Sequence, residues 1–151
     1  MNKLISENIN SILNNRGISQ TDLSSKSGVS RQTINLILSP SRDSNPKLSS
    51  LIDIASALNT DFPQLFTRNI DIEISFDSAM DLKSYMNVLI QNIKLNLSAT
   101  KQKFLSSYPG ISEATISELL NYKRSDIHIS TILYISEQLN IPIDQLLKRG
   151  A

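Results

Sequence analysis

A short polar segment, residues 31–35, carries side chains whose donors and acceptors match the edges of base pairs. Arg can bond bidentately to guanine, Gln can bond bidentately to adenine, and the methyl group of Thr can contact the methyl group of thymine. Val29 and Ile34 have the spacing of buried residues, which leaves the polar side chains on the outside. We therefore predict that base contacts are made by Arg31, Gln32, Thr33 and Asn35.

Helix start and stop signals surround this segment. Gly17 follows a helical apolar pattern and is a typical helix stop, because glycine takes a left-handed conformation at little cost. Ser19 can cap a second helix that would end at Gly28, and Ser30 can cap a third helix over residues 31–38. The sequence therefore predicts two helices joined by a tight turn, with the outer side of the second free to enter the major groove of DNA.

Apolar residues further along predict the rest of this first module. The spacing of Leu48, Leu51, Ile54 and Leu58 is typical of a fourth helix. Residues 61–66 predict a short fifth helix that closes the core. We assign residues 1–68 to this module and expect it to be the DNA-binding domain.

The motif resembles the Cro/CI-type helix-turn-helix family, also called the XRE family of bacterial and phage regulators. The resemblance rests on residues of the first module that stand at the spacing of the family pattern: Gly17-Ile18-Ser19-Gln20, Leu23, Gly28-Val29-Ser30 and Ile34. It implies that the residue opening helix two contacts a DNA phosphate and that the first residues of helix three contact bases.

Two positions depart from the family pattern. Ser24 stands where the family usually has Ala, and Leu38-Ser39-Pro40 replaces the usual Glu-Arg-Gly ending of helix three. The second departure affects the phosphate contacts that follow this helix. The predicted phosphate contacts are Gln20, Ser30, Ser39, Arg42 and Lys47.

The pattern recurs, weakened, in the second half of the chain. Leu48 and Ile129 lie 81 positions apart, as do Leu58 and Leu139. A capping box formed by Ser78 and Asp81 would open this second module. We predict a mainly all-α fold of two tandem five-helix, lambda-repressor-like modules, with the second, degenerate copy over residues 79–151.

Groove-reading chemistry changes in the second copy, where Glu113 and Ala114 replace Arg31 and Gln32. Carboxylates near phosphates usually repel DNA. Two interpretations stay open: direct DNA contact, or a role in dimerisation, partner binding or scaffolding. The candidate contacts of this module are Lys101, Ser112, Thr115, Lys123 and Arg124.

Between the modules, residues 69–78 alternate apolar and polar side chains, which predicts a β-strand connector. A lone strand leaves its backbone groups unpaired, and the same segment of a second chain could pair with it. A strand folded onto its own modules, or an extended linker, is the alternative. We expect a homodimer whose contacts include Ile70, Ile72, Ile74 and Phe76.

Composition limits the classes of function. A net charge of +1 disfavours a protein that coats nucleic acid indiscriminately, and the absence of cysteine excludes disulfides and thiolate metal sites. The single histidine, His128, has the setting of a loop or cap residue, and no phosphate loop or metal-spaced cluster is visible. We expect no enzyme, cofactor or metal. With no signal peptide or apolar run of about 20 residues, we expect no membrane contact and a cytoplasmic protein.

Two functions are consistent with these patterns. The first is a sequence-specific DNA-binding transcription regulator, expected to be a dimeric repressor that reads double-stranded DNA with the helix starting at Arg31. The alternative is an antitoxin or accessory component that binds a partner protein, through the second module, and autoregulates its own promoter.

Overall fold

Helices make up the regular structure in the part of the chain that the computed structural model describes, residues 2–39, 44–68, 80–97 and 113–148. The chain divides into two compact units, Met1–Ala79 and Met80–Ala151. The mainly helical fold predicted from the sequence is confirmed for these residues. The predicted strand connector, residues 69–78, lies outside them.

Four α-helices and one 3-10 helix build the first unit. They are α1 (Asn2–Arg16), α2 (Gln20–Ser27), α3 (Arg31–Leu38), α4 (Leu48–Ala57) and the 3-10 helix Phe62–Phe66. The predicted fifth helix is thus a 3-10 helix, with Pro63 in its first turn. The rings of Phe62 and Phe66 meet edge to face, with centroids 5.2 Å apart.

Local hydrogen bonds and glycines fix the helix ends near α2 and α3. Gly17 and Gly28 have φ angles of 65° and 75°, the left-handed conformation that ends a helix. The hydroxyl of Ser19 accepts a hydrogen bond from the Asp22 N–H at 3.1 Å, and the Asp22 carboxylate accepts one from the Ser19 N–H at 3.2 Å. Ser30 caps α3 as predicted. These caps and glycines therefore define where α2 and α3 begin and where α2 ends.

The core of the first unit is mainly aliphatic, with Phe62 and Phe66 also buried, and every helix contributes to it. Its completely buried side chains include Ile9 of α1, Leu23 of α2, Ile34 of α3, Ile54 of α4 and Leu65 of the 3-10 helix. Burial of a Leu or Ile side chain contributes roughly 1.5–3 kcal/mol. This core holds α2 and α3 against α1 and α4.

Four helices are described in the second unit: α5 (Leu82–Asn96), α6 (Glu113–Leu120), α7 (Ile129–Leu139) and α8 (Ile143–Leu146). The predicted capping box was wrong. Asp81 is itself the cap of α5, because its carboxylate accepts a hydrogen bond from the Ser84 N–H at 2.9 Å. The predicted second helix of this unit, near residues 100–105, falls outside the described ranges.

Equivalent hydrogen bonds occur at the C-terminal ends of α4 in the first unit and α7 in the second. Asn59 and Asn140, 81 positions apart, both take the left-handed conformation, with φ angles of 50° and 55°. The next N–H bonds back to the helix in each unit, from Thr60 to Ala55 and from Ile141 to Ser136. The α4 and α7 helices thus end in the same way.

A second equivalence involves a side-chain amide from the first helix of each unit. Asn8 donates to the carbonyls of Leu65 and Thr67, both at 2.9 Å. Asn92 donates to the carbonyls of Leu146 and Lys148, at 2.7 Å and 2.9 Å. Both side chains hold the last turn of their unit against its first helix.

Candidate nucleic-acid interface

The outer side of α3 is polar and faces solvent. Ile34, Ile37 and Leu38 are buried, with exposed fractions of 5% or less. On the other sides Arg31, Gln32 and Asn35 are exposed, whereas Thr33 is half-buried. The α3 sequence contains no acidic residue. The helix therefore presents hydrogen-bonding groups and one cation without a carboxylate that would repel phosphates.

The turn between α2 and α3 is closed by serine hydroxyls. Ser24 Oγ donates to the carbonyl of Val29 at 2.8 Å, and the Gly28 N–H donates to the carbonyl of Ser24 at 3.0 Å. Ser27 Oγ accepts from the Val29 N–H at 3.1 Å. Ser24 is one of the departures from the family pattern, and it has a structural role. Its hydroxyl connects α2 to Val29, the residue that precedes the α3 cap Ser30.

The first turn of α3 is capped by a serine that also bonds to a threonine side chain. Ser30 Oγ accepts from the Thr33 N–H at 3.2 Å and donates to Thr33 Oγ1 at 2.9 Å. The two hydroxyls therefore lie side by side. Ser30 is a predicted phosphate contact, and Thr33 is a predicted base contact. The Thr33 hydroxyl accepts the bond from Ser30 and keeps its own O–H as a donor, so both the hydroxyl and the methyl group can meet a base.

Arg31 is connected to α2 by a hydrogen bond that the sequence did not predict. Its guanidinium Nη1 donates to Thr21 Oγ1, and both side chains are exposed. The bond spans the turn between the two helices, so spacing along the chain gives no signal for it. Thr21 is the positioning residue that sequence reasoning missed in this surface.

The far end of α3 is held by the buried hydroxyl of Ser6 in α1. Ser6 Oγ donates to the carbonyl of Leu38 at 2.9 Å. Asn10, one turn along α1, makes longer contacts at 3.4 Å to the same carbonyl and to Ser6 Oγ. Because the last carbonyls of a helix lack partners within it, this bond satisfies a buried acceptor and fixes the angle of α3.

The predicted phosphate contacts are spread over several elements. Gln20 opens α2 and is half-buried, Ser39 ends α3 and is half-buried, and Lys47 precedes α4 and is exposed. Arg42 lies outside the described residues. Near α2, the carboxylate of Asp22 accepts the Ser19 N–H, and this backbone hydrogen bond lowers the pKa of Asp22 below its ordinary value of 3.8.

The candidate residues of the second unit lie on and after α6. Thr115 is half-buried, and Lys123 and Arg124 are exposed. Arg124 Nε lies 3.0 Å from the carboxylate of Glu118, which neutralises part of the positive charge here. Lys101 and Ser112 lie outside the described ranges.

An aromatic residue that the sequence did not single out follows α6. Tyr122 has a φ angle of 59°, and its ring lies 4.6 Å from Lys94 Nζ. This cation–π contact brings a further lysine of α5 to the end of α6. A tyrosine in a left-handed conformation has no simple sequence signature.

Within the described residues, no group of three or more His, Asp or Glu side chains is arranged to hold a metal ion. His128 is exposed and precedes the first residue of α7, the cap position that its sequence context predicted. No helix in the described ranges combines the length and hydropathy needed to cross a membrane.

A family model described as helix-turn-helix matches residues 9–65 of the chain. The matched segment runs from α1 into the 3-10 helix and includes the whole of α2, α3 and α4. Residues 9–65 are a helix-turn-helix domain of the XRE family. Searches of curated proteins and of solved structures found no match to the chain.

The helix-turn-helix assignment confirms the family resemblance in the first unit. This family comprises DNA-binding transcription regulators and is not a family of enzymes. Within the matched residues, α2 and α3 are the two helices joined by the tight turn at Gly28. The assignment of a second, degenerate copy to residues 79–151 stays a prediction, as do the individual contact residues and the dimer contacts Ile70, Ile72, Ile74 and Phe76, which lie outside the described residues.

Proposed function

We propose that this chain is a sequence-specific transcription regulator that acts as a homodimeric repressor and inserts α3 into the major groove. The observation that carries the proposal is the outer face of α3, where Arg31, Gln32 and Asn35 are exposed on a helix without acidic residues. A helix with this polarity could also face solvent alone. Its place as the helix after the tight turn of a helix-turn-helix domain favours DNA.

Each exposed side chain has a chemical role in this proposal. Arg31 donates two hydrogen bonds to guanine, and Gln32 and Asn35 bond to the donor and acceptor of adenine. Thr33 contributes its methyl group, which can contact the methyl group of thymine. Each good bidentate contact discriminates against a wrong base by about 1–3 kcal/mol.

The phosphate contacts fix the domain along the groove and add affinity without sequence preference. Gln20 and Ser30 lie at the N-terminal ends of α2 and α3, where the helix dipole favours an anion. Ser39, Arg42 and Lys47 contribute from the other end of α3. In the second unit, Lys101, Ser112, Thr115, Lys123 and Arg124 are the proposed additional contacts.

Dimerisation would let two copies of α3 read two half-sites about one helical turn apart. The alternating residues 69–78 are the proposed contact between copies, because a strand needs a partner for its backbone groups. A protein bound across two half-sites covers a promoter, which is the physical basis of repression. The second unit is the proposed site for a protein partner.

A binding experiment tests the base-reading role. Sequences bound by the wild-type protein are selected from a random duplex pool, and fluorescence anisotropy then measures affinity for the selected and a scrambled duplex. Arg31→Ala should weaken binding to the selected duplex by about 1–3 kcal/mol and leave the scrambled duplex less affected. Gln20→Ala should weaken both alike. Equal losses on both duplexes for Arg31→Ala would show that it does not read bases.

A control separates these effects from the loss of charge. Lys83 is exposed in the first turn of α5, in the second unit, and is not a proposed contact. Lys83→Ala removes one positive charge, as Arg31→Ala does, and should leave the affinity ratio of the two duplexes unchanged. A change as large as that of Arg31→Ala would show that net charge, and not contact geometry, sets the preference.

Two further measurements test the dimer and the repression. The mass in solution of Ile72→Lys/Ile74→Lys should fall to that of a monomer, and an unchanged dimer would remove the connector from the interface. A reporter promoter that carries the selected sequence should be silenced by the wild-type protein and released by Arg31→Ala. A reporter that rises with the wild-type protein would show activation instead.

A further inference from the structure

An apolar side chain lies at the centre of the polar face of α3. Leu36 is 42% exposed, and within the described residues the other large exposed hydrophobic side chains, Leu95 and Tyr122, belong to the second unit. Ile34 and Ile37 supply the inward face of α3 and are buried, whereas Leu36 lies on another side of the helix. Leu36 was absent from the predicted contacts, although its outward position follows from the helical period.

Helix geometry places Leu36 in the outermost line of α3 together with Gln32. Successive residues turn by about 100°, so Gln32 and Leu36 lie within about 30° of the direction opposite the buried side chains. Arg31 lies to one side by the same geometry, which agrees with its hydrogen bond to Thr21 on α2. A groove that is entered by this side of α3 therefore meets Gln32 and Leu36 directly.

The chemistry of the major groove gives such a leucine one preferred target. Thymine presents a C5-methyl group there, whereas the other bases present polar atoms or unsubstituted edges. A partly exposed leucine gains from burying a methyl group and loses if it desolvates a polar atom without bonding to it. Gln32, on the same line, has the amide that pairs with adenine.

We infer that Leu36 is a specificity-determining residue that contacts the methyl group of a thymine in each half-site. This inference rests on the proposed function, since it requires α3 to lie in the major groove. The two side chains are about 6 Å apart along the helix axis, which corresponds to about two base-pair steps. The thymine contacted by Leu36 is therefore about two steps from the base that Gln32 reads.

Replacement of thymine by deoxyuracil tests the inference, because it removes only the methyl group. In the duplex selected by the wild-type protein, each thymine is replaced singly and affinity is measured by anisotropy. Apart from any thymine that Thr33 contacts, one replacement in each half-site should weaken wild-type binding about fourfold, the effect of leaving one methyl group unburied. For Leu36→Ala the same replacement should have no effect, whereas Leu36→Met, which keeps an apolar surface, should retain the difference.

Two controls assign the effect to this residue. Leu95→Ala makes the same substitution at a leucine of α5 that is 82% exposed, and it should keep the wild-type response to deoxyuracil. Thr33→Ser removes the other methyl group on α3 that could meet a thymine. If Thr33→Ser abolishes the response and Leu36→Ala keeps it, Thr33 makes the contact and the inference is wrong.

The outcomes also separate this inference from the proposed function. Selection of a defined sequence together with an unchanged deoxyuracil response in Leu36→Ala overturns the role of Leu36 and leaves the regulator proposal standing. Recovery of no preferred sequence from the pool overturns the regulator proposal, and the role of Leu36 with it. Melting curves of the variants, followed by circular dichroism, verify that each is folded.

Discussion

The guanidinium of Arg31 donates a hydrogen bond to the hydroxyl of Thr21, and this bond joins the first turn of α3 to the first turn of α2. Arg31 has a long side chain with many rotamers, so a fixed partner reduces the entropy lost when it meets a base. The two exposed side chains therefore act as one unit on the DNA-facing surface that we propose.

Thr21→Val should lower affinity for the selected duplex by about 0.5–1.5 kcal/mol, the usual net contribution of a hydrogen bond. In an Arg31→Ala background the same substitution should have almost no effect, which a double-mutant cycle measured by anisotropy would show. Ser25→Ala, at an exposed position one turn along α2, is the matched control. Tighter binding by Thr21→Val would instead mean that the bond holds Arg31 away from DNA.

The contact of Ser6 with Leu38 leads to a prediction about stability. Ser6→Ala should reduce the free energy of unfolding by about 1–2 kcal/mol, because the buried carbonyl of Leu38 keeps only the longer contact from Asn10. Urea denaturation of the chain measures this change. Ser11→Ala, at an exposed position of α1, should have little effect. Because alanine has a higher helix propensity than serine, propensity predicts no loss in either variant, and equal stability of Ser6→Ala and Ser11→Ala would mean that the bond to Leu38 contributes nothing.

Asn8 and Asn92 provide a comparison between the units. Asn8→Ala should lower the stability of the first unit by about 2 kcal/mol, since Asn8 is buried and two carbonyls lose their donor. Asn92→Ala should destabilise the second unit by about 1 kcal/mol, because that side chain is half-buried. Hydrogen exchange read separately over each unit distinguishes the two losses.

Asn14→Ala serves as the control for this pair, because Asn14 is exposed on α1. Its exchange rates should match those of the wild-type protein. If Asn92→Ala leaves exchange in the second unit unchanged, the amide of Asn92 does not hold the end of that unit, and its equivalence to Asn8 is one of geometry alone.

Asp22 predicts a pH dependence of stability. The Ser19 N–H lowers the pKa of this carboxyl in the folded state, so its contribution is fully present above the ordinary value of 3.8. The contribution is lost as the pH falls from that value through the lower folded-state pKa. Asp22→Ala should therefore flatten the decline in melting temperature as the pH falls below the ordinary carboxyl value of 3.8. An unchanged slope in this variant would contradict the capping role of the carboxylate.

Local signals explain why the limits of α2 and α3 could be predicted from the sequence. Ser19 and Ser30 bond to N–H groups three positions away, and Gly28 acts through its own backbone conformation. Such contacts need no knowledge of the rest of the fold. The family resemblance then pointed to the helix that carries Arg31.

Long-range contacts could not be predicted in the same way. Ser6 and Leu38 lie 32 positions apart, and Asn8 and Leu65 lie 57 apart, so both bonds exist only after the helices pack. Leu36 is a different case. The helical period that predicts the inward position of Ile34 also places Leu36 at the centre of the outward face, but an apolar residue gives no sequence signal for a hydrogen bond to a base edge.

The hydroxyl of Ser24 has a consequence for how this domain would meet a duplex. The Ser24 hydroxyl donates to the Val29 carbonyl and so orders the turn, together with the two helix ends beside it, before DNA binds. The entropy of ordering this segment is then lost during folding and not during association. The domain would then meet DNA with its contact surface already ordered. The heat capacity change of binding would report mainly the water released between the two surfaces.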